Sequence, residues 1–271
     1  MSDFLAAMSD ASLLRARTAM KEADATSLDS RVASAPTARA LDLTSEGFDV
    51  IAEAKLASPA EGALADGGVD RVAELARDYV SAGAAAISVL TEESRFDGSL
   101  EHLEHVSALV DLPVMRKDFL VHPIQVREAR AAGASGVLLI ARMLPGSLLE
   151  EMTDLTLQLG MFALIEVFDR SDIESAAAVF DRDVLVGVNC RDLTTLEVDF
   201  DRFEQLAPHL PDHLPTVAES GIKVPSDASV VADLGFRMAL VGSSLVVSDD
   251  PAYALSELLN AGRARLSGAD G

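Results

Sequence analysis

The sequence predicts an α/β fold: a single (β/α)8 barrel of the TIM type with an N-terminal helical extension. Three observations lead there. Eight short apolar or β-branched runs recur along the chain, with starts 22 to 38 residues apart. Helix-period stretches fill the gaps between them. The 271 residues suit one barrel of about 250, and no linker or second zone of composition divides them. An open doubly wound sheet is the competing arrangement, and eight successive units disfavour it.

The elements follow in order. Residues 1–47 precede the first run. Phe4, Leu5, Met8, Leu13 and Leu14 suggest a short amphipathic helix, followed by a polar stretch through Ala33–Thr37. This segment reads as an extension packed on the barrel. The eight runs are FDVIAEAK (48–55), AISVLT (86–91), PVMRK (113–117), GVLLIA (136–141), FALIEV (162–167), VLVGVN (184–189), TVAESG (216–221) and MALVGSS (238–244). Such short segments, rich in Val, Ile and Leu, fit strands buried on both faces. Between them, VDRVAELARDYVSAG (69–83) sets Val72, Leu75, Ala76 and Tyr79 on one stripe and stops at Gly83. PIQVREARAAG (123–133) opens with Pro and closes with Gly. SLLEEMTDLTLQLG (147–160) and SDIESAAAVF (171–180) have the same character. SDASVVADLG (226–235) offers Ser226 and Asp227 as caps and ends at Gly235. Residues 48–246 therefore hold eight βα units, and 247–271 a C-terminal helix and tail, all in one domain.

Composition bounds the function. With 49% hydrophobic and 24% charged residues, the chain is globular. Its one cysteine, Cys190, excludes an internal disulfide and suits a reducing cytosol. The N-terminus lacks the apolar core of a signal peptide, and no apolar run reaches the roughly 18 residues of a membrane helix. A cytoplasmic protein is expected. The net charge of −22 argues against nucleic acid and anionic membranes as partners. Only four of the 22 basic residues are lysines, against 44 acids, so adaptation to a very salty cytoplasm is expected. An anionic ligand would then need a locally positive site. No His/Cys cluster has metal spacing. The five histidines, His102, His105, His122, His209 and His213, fall in helices or loops and are assigned to the surface.

In a (β/α)8 barrel, functional side chains come from the C-terminal strand ends and the loops after them. The first run carries Glu53 and Lys55, two apart and so on one face, and Ser58 and Pro59 follow. The third run ends in Lys117, inside PVMRKDF (113–119). The fifth carries Glu166, the sixth Asn189 and then Arg191, and the seventh Glu219 and Ser220. These groups would converge on one cavity. A structural ion pair at the barrel mouth would explain one Glu–Lys pair. Three carboxylates, two lysines and an arginine exceed that, because burying charge is costly. Half of the chain's lysines fall here, while Lys21 and Lys223 read as solvated. AESG (218–221) and VGSS (241–244) are small Gly-containing turns after the last two runs. Loops in those positions often bind phosphate through backbone N–H groups.

Taken together, IAEAKLASP (51–59), SVLTEESRFDGS (88–99), PVMRKDF (113–119), LIEV (164–167), GVNCRDLTTLEVD (187–199), AESGI (218–222) and LVGSSLV (240–246) carry a resemblance. The chain resembles the indole-3-glycerol phosphate synthase family over about residues 48–246. The resemblance implies ring closure of 1-(2-carboxyphenylamino)-1-deoxyribulose 5-phosphate, with loss of carbon dioxide and water. It implies no cofactor, no metal, and this phosphorylated anthranilate-sugar as the small-molecule partner of a monomer. It assigns Lys117 as general acid, in a setting where burial lowers a lysine pKa and a carboxylate opposes that. Lys55 becomes the second cation, Glu53 and Glu166 the base or relay, and Asn189 an orienting group. Glu219 binds sugar hydroxyls or tunes Lys117, and Arg191 faces the departing carboxylate. Ser58, Ser220, Gly221, Gly242 and Ser243 fall where the family holds phosphate, and Phe96, Pro59 and Leu193 form apolar walls. The chain departs from the family at Leu56, where a basic residue is usual, at Ala60–Glu61, at Cys190 and at His122–Pro123. The first two departures remove positive charge from the loop that faces an anion. A phosphoribosylanthranilate isomerase would need a Cys/Asp pair at strand ends. A class I aldolase would need a Schiff-base lysine. A binding-only barrel would need no such acid–base set.

Overall fold

The computed structural model describes residues 3–22, 25–44 and 47–266; the predicted tail after 266 lies outside them. The barrel strands are β1 Asp49–Ala54, β2 Ala86–Leu90, β3 Val114–Lys117, β4 Gly136–Ile140, β5 Phe162–Val167, β6 Leu185–Asn189, β7 Thr216–Glu219 and β8 Met238–Val241. Each lies parallel to the next, and β8 pairs with β1 to close the ring. The helices of five residues or more are α1 Asp3–Glu22, α2 Ala25–Ser34, α3 Gly68–Ser81, α4 Leu100–Leu109, α5 Pro123–Ala131, α6 Gly146–Gln158, α7 Arg170–Ala176, α8 Arg202–Leu206, α9 Pro225–Asp233 and α10 Pro251–Leu266, with single turns at Glu93–Phe96 and Ser243–Val246. Among the described residues no helix is long and apolar enough to cross a membrane.

The predicted runs start within one residue of the strands. The last two overshoot at their ends. Ser220 and Gly221 take φ of 68° and 77°, which a strand cannot continue, so β7 stops at Glu219. Helix starts follow local chemistry. The Ser99 hydroxyl accepts from the His102 N–H at 3.1 Å, and the Asp169 carboxylate from the Asp172 N–H at 3.0 Å. Asp227 does cap α9, but from inside the first turn: its carboxylate accepts from the N–H groups of Lys223 and Val224. Ser226 plays no such part, because the helix already starts at Pro225.

Side-chain alternation makes two buried layers. Val50, Ala52 and Ala54 of β1 point out toward the helices. Ile51, Met115, Leu138, Leu164, Val217 and Met238 point in and fill the barrel. The inward parity continues through Glu53, Lys117, Glu166, Asn189 and Glu219 at the strand ends. One geometric rule thus supplies both the core plug and the polar floor above it.

The N-terminal extension differs from its prediction. α1 runs for 20 residues, and a second helix, α2, reaches into the stretch read as polar coil. Leu5 and Met8 are buried against the barrel, but Leu14 is 66% exposed and belongs to no buried stripe. Polar contacts hold the extension as well. Arg15 meets Asp118 at 2.7 Å, Ser12 accepts from Gln125 at 2.8 Å, and Asp29 pairs with Arg127. Apolar periodicity cannot signal such anchors.

Candidate active site

All fifteen predicted site residues line one cavity of about 370 Å³ at the C-terminal end of the barrel. β1 delivers Glu53, and the residues after it deliver Lys55, whose Nζ lies 2.9 Å from Glu53 Oε1. β3 delivers Lys117, 3.6 Å from Glu166 Oε2 on β5. That separation is an ion pair and too long for a hydrogen bond. Asn189 on β6 donates to Glu166 Oε1 at 3.0 Å, and its own Oδ1 accepts from the Arg191 N–H at 2.9 Å. Arg191 is tied back by its guanidinium to the Leu196 carbonyl at 2.7 Å. Glu219 on β7 is 1% exposed. Among the described residues, neither Glu219 oxygen nor Glu166 Oε2 has a hydrogen-bond partner. Three buried acceptors beside an ammonium suit a ligand that brings hydroxyls or protons.

The neighbours of Lys117 in PVMRKDF pair with each other. Arg116 and Asp118 meet at 3.0 Å, and Asp118 also borders the cavity. Arg116 also binds Thr91 at 3.0 Å and the Gln125 carbonyl at 2.9 Å. The Arg–Lys–Asp triplet therefore splits: the lysine enters the cavity, and its neighbours clamp α5 and, through Arg15, α1.

Electrostatics separates the roles. Burial alone would depress the Lys117 pKa, but the carboxylates of Glu166, Glu219 and Glu53 outweigh it and raise it above the ordinary lysine range. Lys117 is an ammonium at neutral pH, so the lowering available to a buried lysine is overturned by three acids. Burial likewise works against ionising Glu53, yet Lys55 and Lys117 prevail and lower its pKa. Glu219 goes the opposite way: burial first, then repulsion from Glu166, raise it well above the usual range, with Lys117 opposing. Carboxyls pushed apart within one cavity are the signature of acid–base division of labour.

Two glycines make room for this cluster. A Cβ on Gly187 would sit 2.0 Å from Glu219 Oε1, and one on Gly242 would sit 2.3 Å from Glu53 Oε1. Gly187 was legible only as part of GVN. Ser58, Ser243 and the Ser220–Gly221 turn, the residues expected to hold phosphate, also line the cavity. Cys190 lies beneath that turn, its Sγ donating to the Ser220 carbonyl at 3.2 Å. Burial pushes its thiol up to about 12, so it is an inert packing group.

Other residues escaped the sequence reading. Phe4 and Phe119 join Phe96 in an aromatic wall, with ring centroids 5.9 Å and 6.1 Å from Phe119. Phe119 carried a signal, two residues past Lys117. Phe4 carried none, since nothing local links α1 to the cavity. Lys223, read as solvated, is exposed but lines the rim beside Gly221. Its place right after AESGI was the missed cue. Three of the four lysines therefore face this cavity. Of the histidines, His105, His209 and His213 are exposed. His122 is a correction: half-buried, it accepts the Ile124 N–H at 3.2 Å and caps α5, so His122–Pro123 is a helix start. His102 is also half-buried, on α4.

Comparison with known proteins assigns a family. A model of the family described as "Indole-3-glycerol phosphate synthase" matches residues 8–258. A relative of that name from Mycobacterium leprae (strain Br4923) is 46% identical over 253 residues, covering 92% of each chain. Another, from Rhodococcus jostii (strain RHA1), is 45% identical over 253 residues, covering 92% of this chain and 93% of its own. Among solved structures, a thiamine phosphate pyrophosphorylase from Pyrococcus furiosus superposes with a TM-score of 0.59 at 20% identity, covering 81% of this chain and 96% of its own. A phosphoribosylanthranilate isomerase from Thermotoga maritima gives 0.55 at 13% identity, covering 80% and 99%. These structural likenesses speak for the fold alone. The family match spans nearly the whole chain, and the chain belongs to the indole-3-glycerol phosphate synthase family.

Proposed function

We propose that the cavity closes the indole ring of 1-(2-carboxyphenylamino)-1-deoxyribulose 5-phosphate, releasing carbon dioxide and water. The observation that carries this is the Lys117 ammonium held among Glu53, Glu166 and Glu219 between an aromatic wall and a serine-lined anion end. The anthranilate ring lies against Phe96, Pro59 and Leu193, extended by Phe4 and Phe119. The phosphate takes Ser58, Ser220, Gly221, Gly242 and Ser243.

In the first step the ring carbon bearing the carboxylate attacks the ketone carbon, and Lys117 gives its proton to the ketone oxygen. The carboxylate then leaves as carbon dioxide, and its bonding pair restores the aromatic ring. Arg191 and Lys55 face that carboxylate. In the last step the new hydroxyl leaves as water with a proton from Lys55. Glu166, or Glu53 through Lys55, takes the proton from the carbon beside nitrogen. Asn189 holds Glu166 in position, and Glu219 receives the sugar hydroxyls. No cofactor or metal enters these steps.

The test follows indole fluorescence in molar KCl for the native chain and Lys117→Ala. Removal of the general acid lowers kcat by about 10²–10⁴-fold. A folded Lys117→Ala enzyme with native turnover overturns the assignment. No turnover by a folded native chain overturns the reaction itself.

The same reading covers the setting. The acidic surface is an adaptation to concentrated salt, the reduced Cys190 suits the cytoplasm, and the chain acts as a monomer.

A further inference from the structure

The anion end of the cavity already holds an acid belonging to the chain. After β1, residues Ala57–Ser58 pair with Gly62–Ala63 as a small antiparallel hairpin. Glu61 sits in its turn. One carboxylate oxygen, Oε2, accepts from the Ser58 hydroxyl at 3.1 Å and also from the Ser243 hydroxyl across the cavity. The Glu61 N–H donates to Ser58 Oγ at 3.2 Å, which fixes the turn beneath the carboxylate. Burial disfavours the charge here, but the hydrogen bonds from Ser243 and Ser58, with Lys55 and Arg191 nearby, outweigh it and keep the group ionised at neutral pH. Ser58 and Ser243 are two of the residues assigned above to the phosphate. A chain of net charge −22 thus directs an acid at the one place where it needs to attract an anion.

We propose that Glu61 is a resident anion: it fills the phosphate subsite when no ligand is bound and thereby sets the site's ligand selectivity. This rests on the phosphate reading of Ser58 and Ser243. A ligand enters only by displacing a carboxylate tethered in place, so its apparent affinity falls by the fraction of time the subsite is open. A phosphomonoester dianion brings nearly two charges and three acceptor oxygens to the serines, Lys55 and Arg191. A simple carboxylate brings no more than Glu61 already supplies, and is kept out.

The experiment titrates inorganic phosphate, and separately acetate, into the native chain, Glu61→Ala and Glu61→Gln by calorimetry at fixed KCl. Glu61 lies at an exposed loop tip, so both variants keep the fold, and thermal unfolding checks this. Phosphate binds both variants about 3–10-fold tighter than the native chain, and acetate gains at least as much. Unchanged or weaker phosphate binding in both variants overturns the proposal, and a phosphate gain without an acetate gain overturns its selectivity. If the native chain turns substrate over while the variants bind phosphate no tighter, the resident anion alone is wrong. If phosphate binds neither native chain nor variants, the phosphate reading falls with it.

Discussion

Gly187→Ala tests whether the cavity floor depends on an empty position in β6. The Cβ it adds would lie 2.0 Å from Glu219 Oε1, 3.1 Å from Glu219 Cδ and 3.1 Å from Leu164 Cδ1. Ordinary contact begins near 3.4 Å, so the carboxyl must move by more than 1 Å. It has little freedom, being buried at 1% exposure above Leu164 and beside Glu166. Gly187 has no left-handed φ, so the backbone itself accepts alanine. The cost is therefore local overpacking, about 1–3 kcal/mol. Activity falls further than stability, because a misplacement of about 1 Å near the chemistry costs about 10²-fold. The assay pairs kcat from indole fluorescence with urea midpoints in molar KCl. A double-mutant cycle with Glu219→Ala isolates the cause: with the carboxyl gone, the methyl has room, and its stability cost shrinks to under about 1 kcal/mol. Native kcat in Gly187→Ala, or the same stability cost in both backgrounds, refutes the reasoning.

Three further predictions follow from the same geometry. Glu219→Gln stabilises the fold at pH 8 while lowering kcat, since the folded pKa of Glu219 is raised; native stability from this group falls as pH rises past the ordinary glutamate range, so the variant's advantage vanishes below about pH 4 in unfolding titrations. Arg116→Leu removes the buried partner of Asp118 and lowers stability by about 3 kcal/mol, the low end for a broken buried pair because Arg15 remains. Burial opposes ionising Asp118, but Arg116 and Arg15 lower its pKa, so the loss shows fully above pH 4 and narrows as pH falls below it; a pH-independent loss would contradict the ion pair. The unfolding midpoint of the native chain rises steeply with KCl, because salt screens the repulsion of a −22 surface; a flat response between low and molar salt excludes salt adaptation.

Much of the site was readable because strand chemistry is local. A period of two carries Glu53, Lys117, Glu166, Asn189 and Glu219 inward with the core residues below them, and strand-end position alone brings them together. Lysine scarcity sharpened the signal at Lys55 and Lys117. The turns after β7 and β8 were legible because glycine and serine at strand ends mark sharp backbone reversal.

The sequence by itself determined the eight-unit barrel, its parity and its polar strand ends, since each shows in local patterns repeated along the chain. Tertiary structure decided what depends on distant partners. Phe4 reaches the aromatic wall because α1 packs Leu5 and Met8 on the barrel and pairs Arg15 with Asp118, over a hundred positions away. Lys117 is a firm ammonium only because acids from β1, β5 and β7 surround it. Glu61 meets Ser243 only because the barrel closes β8 onto β1. Charge states and cavity walls are sums over neighbours, and the neighbours are chosen by closure of the ring.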